Sequence, residues 1–306
     1  MTKIIATSVV RGSEQGHSHG GLFLIDLENQ AVNQKLDWNK IDIDWQGRGW
    51  DRGLRGMAIH NDTLYVVASD ELFAYDPDFK LINSWKNPFL KHCHEICVYQ
   101  GSLFITSTGF DSILAFDLTK QAFHWALHIK TNGHQFAPVS FDPLGDKGPM
   151  LLNKLHINNV HCNKNGMYIS GLNTGGLLHF SGKEVNMSVT LPAGTHNAQP
   201  FKNGVLFNDT KANAVRYISR NEEEDVSFAV PQFDLADLTA TDLDATQVAR
   251  AGFGRGLCML DGDIIIAGSS PSTIALHDLN QKITGMTVTL TKDVRHAIHG
   301  LEIWPY

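Results

Sequence analysis

The feature that most constrains this chain is that it repeats itself. Five segments lie over one another: RGMAIHNDTLYVVAS from Arg55, HEICVYQGSLFITS from His94, NNVHCNKNGMYIS from Asn158, HNAQPFKNGVLFND from His196 and RGLCMLDGDIIIAGS from Arg255. Each is a polar residue, a short apolar strand, a turn seven or eight residues on, and a second strand. Short β-branched and aromatic runs bounded by turn residues read as hairpins. A third strand ending in an Asp-containing turn follows in several copies (LFAYDP, ILAFDL, IALHDL), and GGLFLIDL at residues 20 to 27 has the same form. No long segment carries apolar residues at the 3.6-residue period with caps at both ends, so the chain reads as all-β.

The sixth copy is divided between the termini. HGLEIWPY, from His299, is a first strand with no hairpin partner after it, while KIIATSVV and GGLFLIDL are later strands with no first strand before them. Joining them closes a ring and hides its last edge, as propellers do. Repeats of about 40–50 residues with four short strands point to propeller blades. The expectation is a six-bladed β-propeller forming one domain over residues 1–306, its last blade built from N- and C-terminal strands.

A pseudo-threefold repeat of two blades lies above the first period. His94, His196 and His299 are separated by 102 and 103 residues, and the step around the closure back to His94 is 101. The blades between them open on Arg55, Asn158 and Arg255. Blade lengths alternate because three inserts, roughly 27–54, 127–155 and 219–252, read as irregular connections. Connections of that length are commonly functional, and here they are expected to cap the channel mouth, with Trp38, Trp45 and Trp50 as apolar walls.

First residues of innermost strands ring a propeller's axis. Three imidazoles from alternate blades supply three nitrogen ligands with positions left open, the arrangement of a catalytic metal site. One divalent ion is therefore expected on His94, His196 and His299, with zinc first and iron or manganese as alternatives. Arg55 and Arg255, in matching RGMA and RGLC contexts, suit a bidentate grip on a carboxylate or phosphate. Asn158 or its neighbour Asn159 takes the remaining ring position, and His17 and His19, on the glycine-rich RGSEQGHSHGG loop, are candidates to bend toward the substrate. Glu95 follows a ring histidine and is expected to orient a neighbouring imidazole. His92, His156 and His296 stand two or three residues before ring positions, where they would line the mouth.

Composition narrows the partners. Lys and Arg number 25 against 32 Asp and Glu, a formal −7, which argues against nucleic acid or an anionic membrane. No apolar run approaches the roughly 20 residues that cross a bilayer. The N-terminus lacks the apolar stretch of a signal peptide, and four cysteines are too few for a disulfide framework, so a reduced, cytoplasmic setting is expected. Searches for a P-loop, a GxSxG elbow and a calcium loop find nothing, and GFGRG at residues 252 to 256 opens a strand rather than a helix.

The layout resembles six-bladed propeller enzymes of the peptidyl-α-hydroxyglycine lyase type, in which three histidines from different blades hold an axial zinc. It is more distantly similar to the SMP-30/gluconolactonase group, which uses mainly carboxylate and amide ligands. The resemblance implies that His94, His196 and His299 hold the metal and that Arg55 or Arg255 corresponds to the arginine beside it. No counterpart of the lyases' catalytic tyrosine is found, so what carries over is the site type and not the substrate. The leading expectation is a metal-dependent lyase or hydrolase acting on a small anionic molecule. A mononuclear iron oxygenase and a non-catalytic propeller that presents its faces to protein partners are the alternatives, separable by metal content. Oligomeric state is left open.

Overall fold

A computed structural model describes residues 2–41, 53–241 and 250–306. Its strands form six antiparallel sheets, five of four strands and one of five, arranged as a six-bladed β-propeller. Blades are numbered here from the one that opens on Arg55. Their first strands are Met57–His60, Ile96–Tyr99, Ile157–Asn163, Thr195–Phe201, Leu257–Asp261 and His296–Trp304. Side chains from all six border a single cavity of about 360 Å³, so these strands surround the axis.

Every hairpin expected from the sequence is present. Turn chemistry explains their sharpness: Asn61 and Asp62 (φ 45° and 58°) close the hairpin of blade 1, and Gln100 and Gly101 (φ 48° and 75°) that of blade 2. Positive φ at both central residues matches the right-handed twist of the flanking strands. The sixth blade closes as expected. His296–Trp304 pairs antiparallel with Lys3–Val10, which pairs with Gly20–Asp26.

The core lies between blades. Val67 and Leu72 of blade 1 pack with Leu103 and Phe116 of blade 2. The sequence of interfaces continues with Ile113 against Ile169, Leu177 against Phe207, and Leu206 against Ile265. Ile266 against Ile298 and Ile5 against Val66 complete the circle. Each blade is therefore apolar on both broad faces, and no blade buries its surface without its two neighbours.

The three inserts are not wholly irregular, which corrects the sequence reading. Ala31–Asp37 and Val226–Ala229 are the outermost strands of blades 6 and 4, and Phe136–Phe141 adds a fifth strand to blade 2. Ala31–Asp37 is exposed at six of its seven positions, so it needs no hydrophobic alternation and leaves none in the sequence. The described remainder docks on the face where first strands begin. Trp38 O accepts from His19 N at 2.7 Å, Leu155 N donates to Asp111 Oδ1 at 3.1 Å, and Gly252 N donates to Ser270 O at 2.7 Å. Trp38 is buried edge-on against Phe73, 4.9 Å between centroids, in the blade 6–blade 1 core and not on a mouth wall. Trp45 and Trp50 lie outside the described residues.

Removing residues 299–306 strips most of the strand that joins the two ends of the chain and bares strand edges on blade 6. The truncated chain is expected to lose its cooperative thermal transition, followed by circular dichroism. A sharp transition within a few degrees of the parent would contradict closure by this strand.

Candidate functional site at the propeller axis

The ring residues are buried: Arg55, His94, Asn158, His196, Arg255 and His299 all have less than a tenth of their surface exposed, 8% at most for Arg255. What lets them crowd is the residue that follows three of them. A Cβ on Gly56 would lie 2.5 Å from His94 O, one on Gly256 2.7 Å from His299 O, and one on Gly300 2.6 Å from Arg55 O. The approach is held by hydrogen bonds, with Gly56 N donating to His94 O at 2.6 Å and Gly300 N to Thr7 Oγ1 at 2.7 Å. Thr7 in turn donates to Arg55 O, and Asn158 Nδ2 donates to Thr195 O at 3.0 Å.

His94 has a definite tautomer. His92 O can only accept, and it lies 2.8 Å from Nδ1, so Nδ1 carries the proton and shares it with Thr108 Oγ1 at 2.8 Å. Arg55 Nη1 lies against this imidazole, 2.8 Å from Nε2 and 3.0 Å from Nδ1, and the same guanidinium nitrogen donates to Cys93 O at 3.2 Å. The His94 ring lies 6.1 Å from that of His299 and 5.3 Å from that of His156, centroid to centroid. By the same reasoning, His196 donates from Nδ1 to Gly194 O at 3.1 Å. Its buried Nε2 has no hydrogen-bond partner among the described residues. Burial, reinforced by nearby guanidinium charge from Arg55 on His94 and from Arg255 on His196, holds both imidazoles well below the ordinary histidine range.

Phe253 stands at the centre of a second group that the spacing of blade starts does not reveal. Its ring faces the guanidinium carbons of Arg255 at 4.6 Å, Arg11 at 4.9 Å and Arg250 at 5.0 Å, and meets the His196 ring edge-on at 5.6 Å. Three cations around one aromatic ring are stabilised by its quadrupole. Phe253 stands two residues before Arg255 in GFGRG, the only sequence sign of its place.

Asn159 turns toward the cavity, bonding Ala198 O at 2.7 Å and lining the wall with Glu95, Asn197, Gln199 and Glu302. Glu95 does not orient an imidazole as expected; it accepts from Asn197 Nδ2 at 3.0 Å. Asn197, at φ 53° in a bulge of its strand, also accepts from Asn208 Nδ2 at 3.0 Å and Gly256 N at 3.1 Å, tying blade 4 to blades 2 and 5. Neither loop histidine joins the ring. His19 is wholly buried with both nitrogens engaged, accepting from Ser13 Oγ at 2.6 Å and donating to Lys40 O at 3.2 Å. The His17 side chain is 72% exposed beside Glu14.

The three imidazoles expected to hold zinc, iron or manganese are not assembled as a ligand group among the described residues. Among the described residues no group of three or more His, Cys, Asp or Glu side chains is arranged to hold a metal ion. At His94 the Arg55 guanidinium lies against the imidazole, near both of its nitrogens, and its positive charge disfavours a second cation there.

Two sets of buried groups give stability opposite dependences on pH. His94 and His196 stay neutral when folded but protonate when unfolded below pH about 6.5, so stability falls as pH drops through that range. Burial pushes Glu95 up to about 8 and Glu302 up to about 7. The folded chain therefore keeps protons that the unfolded chain releases above pH about 4.5, and stability falls as pH rises from there toward 8. Relative to the parent, Glu95→Gln is expected to gain melting temperature steadily between pH 5 and 8. His196→Gln should gain between pH 7 and 5. Parallel melting curves for parent and variant across either range would contradict the assignment.

No protein-family model and no curated protein sequence matches the chain. Solved structures do resemble it. A chain in the crystal structure of a nidogen/laminin complex superposes with TM-score 0.59 at 10% identity, covering 99% of this chain and 98% of that one. A Bacteroides caccae protein of unknown function gives 0.58 at 10% identity, covering 100% and 99%. A Bacteroides fragilis protein, provisionally described as a 6-phosphogluconolactonase, gives 0.55 at 10% identity, covering 99% and 98%. At that identity the likeness is one of fold: this chain is a propeller of the same architecture over its whole length.

Proposed function

We propose that the protein is an enzyme that binds a small anionic molecule at the axial ring and cleaves it by hydrolysis or elimination. The observation that carries this reading is that Arg255 and His196, whose Nε2 has no hydrogen-bond partner among the described residues, both pack against the Phe253 ring. A planar guanidinium grips a carboxylate or phosphate through two parallel hydrogen bonds. Arg255 and Arg11 beside Phe253 provide that grip, and Arg55, donating to His94, adds positive potential from across the ring.

The proton is handled by His196. Its Nδ1–H is fixed on Gly194 O, which leaves Nε2 as the basic nitrogen, and burial with Arg255 nearby keeps it deprotonated at neutral pH. A neutral imidazole pointing its lone pair at a bound anion takes a proton from water in a hydrolysis, or from carbon or oxygen of the substrate in an elimination. The developing negative charge is stabilised by guanidinium groups already in place. The fold neighbour described as a lactonase acts, by that name, on an anionic sugar derivative. Phosphorylated sugar lactones are therefore a reasonable first panel, although the likeness extends to fold alone.

Calorimetric titration with inorganic phosphate and with phosphorylated sugar acids and lactones tests the reading. Arg255→Gln is expected to weaken anion binding about 10- to 100-fold, the worth of a charge-assisted hydrogen bond. His196→Gln should leave binding nearly unchanged and lower turnover of a hydrolysed panel member by about 10²- to 10⁴-fold. Equal anion affinity in parent and Arg255→Gln would remove the proposed grip. Elemental analysis of untagged protein belongs beside it: one metal ion per chain, lost in His196→Ala, would restore the three-histidine metal reading in place of this one.

A further inference from the structure

Away from the ring, two thiols meet across a blade interface. Cys97 lies on the first strand of blade 2 and Cys162 on the first strand of blade 3. Cys162 N donates to Cys97 Sγ at 3.3 Å, which brings the two side chains together across the interface. Both cysteines are unbridged. Cys97 also borders the 360 Å³ axial cavity, whose wall includes Glu95, Asn159, Gln199 and Glu302 and is polar enough to admit a small hydrated oxidant.

We propose that Cys97 and Cys162 form a peroxide-reactive dithiol, in which a hydroperoxide entering the axial cavity converts the pair to a disulfide joining blades 2 and 3. The two sulfurs are not equivalent. The neighbouring Cys162 thiol and backbone N–H hold the Cys97 thiol below the usual cysteine range, while proximity to Cys97 and burial push the Cys162 thiol up. Cys97 is thus the attacking sulfur and Cys162 the resolving one. The Cys97 thiolate attacks one peroxide oxygen, the O–O bond breaks, and the departing oxygen takes a proton to leave as water or an alcohol. Cys97 is then a sulfenic acid. The Cys162 sulfur displaces the sulfenic oxygen, the S–S bond forms, and that oxygen leaves as water with the Cys162 proton. Two thiols lose two electrons and the peroxide gains them. Cys258 borders the same cavity, but burial and Glu302 push its thiol well up, so it serves as an internal comparison.

The test uses the folded full chain and hydrogen peroxide, followed by alkylation and mass spectrometry. Expected are an intact mass lower by about 2 Da before alkylation, two of the four thiols protected, and peptide 92–120 linked through Cys97 to peptide 155–164. Cys97 should react at least about tenfold faster than Cys258. In Cys162→Ser, Cys97 should stop at a sulfenic acid that dimedone captures; in Cys97→Ser, Cys162 should remain reduced. Should either variant fail to fold, the peptide map of the parent still decides. Oxidation of Cys93 or Cys258 as fast as Cys97, or conversion of Cys97 to a sulfinic acid with Cys162 still reduced, would overturn the proposal.

Discussion

Six strand starts brought within hydrogen-bond reach of one another around a single axis are the constraint on which this structure depends. Only a residue without a side chain can follow Arg55, Arg255 and His299, because the carbonyl of a neighbouring ring residue occupies the space where a Cβ would be. Gly256 additionally sits at φ 76°, a conformation that other residues adopt only with strain. Once the strands are that close, their backbone groups cap one another, as Gly56 N does on His94 O. Blade-to-blade cores are then fixed at a spacing that the apolar side chains fill. The ring side chains have only one direction left, inward along the channel.

That crowding decides the electrostatics. In a chain of net charge −7, at least three guanidinium groups and four imidazoles are gathered near one end of the channel, while the carboxyls of Glu95 and Glu302 border the cavity with the first strands. Charging every group would be prohibitive in such a site. The arginines keep their charge because delocalisation makes them hard to deprotonate, and the histidines, with far lower intrinsic basicity, stay neutral beside them. The carboxyls respond to burial in the opposite sense and hold their protons. An aromatic face between the arginines offers favourable electrostatics without adding a titratable group, the part Phe253 plays.

Much of this was legible in the sequence because it is local. Hairpins announce themselves through turn residues such as Gln100–Gly101, and the phase of the repeat places Arg55, His94, Asn158, His196, Arg255 and His299 at equivalent positions. Ala31–Asp37 was not legible, since an outermost strand exposed on both faces carries no alternation to detect. The phase also says nothing about which lone pairs remain available. Three histidines at even spacing look like a ligand set until Arg55 is seen to donate to His94, a contact between residues 39 positions apart in sequence. Phe253 and Arg11 escaped for a related reason: they lie outside the frame of the repeat and reach the ring only through the path of their loops. His19 misled because a histidine in a glycine-rich loop reads as mobile, whereas Ser13 and Lys40 fix both of its nitrogens.

The three blade pairs depart from threefold symmetry in the contacts of their opening residues. Two blades of each pair open on a polar residue and then a histidine: Arg55 with His94, Asn158 with His196, Arg255 with His299. In the first pair the arginine reaches the next blade's histidine and lies against both of its ring nitrogens. In the second, the shorter asparagine spends its amide on Thr195 O, one residue before His196, and never reaches the ring nitrogen. Nε2 of His196 is left bare by that substitution, with Arg255 of the following pair brought to the same aromatic face. In the proposed reading, the asparagine of the second pair leaves a base beside a cation, the minimum needed to hold an anion and move a proton at the same place.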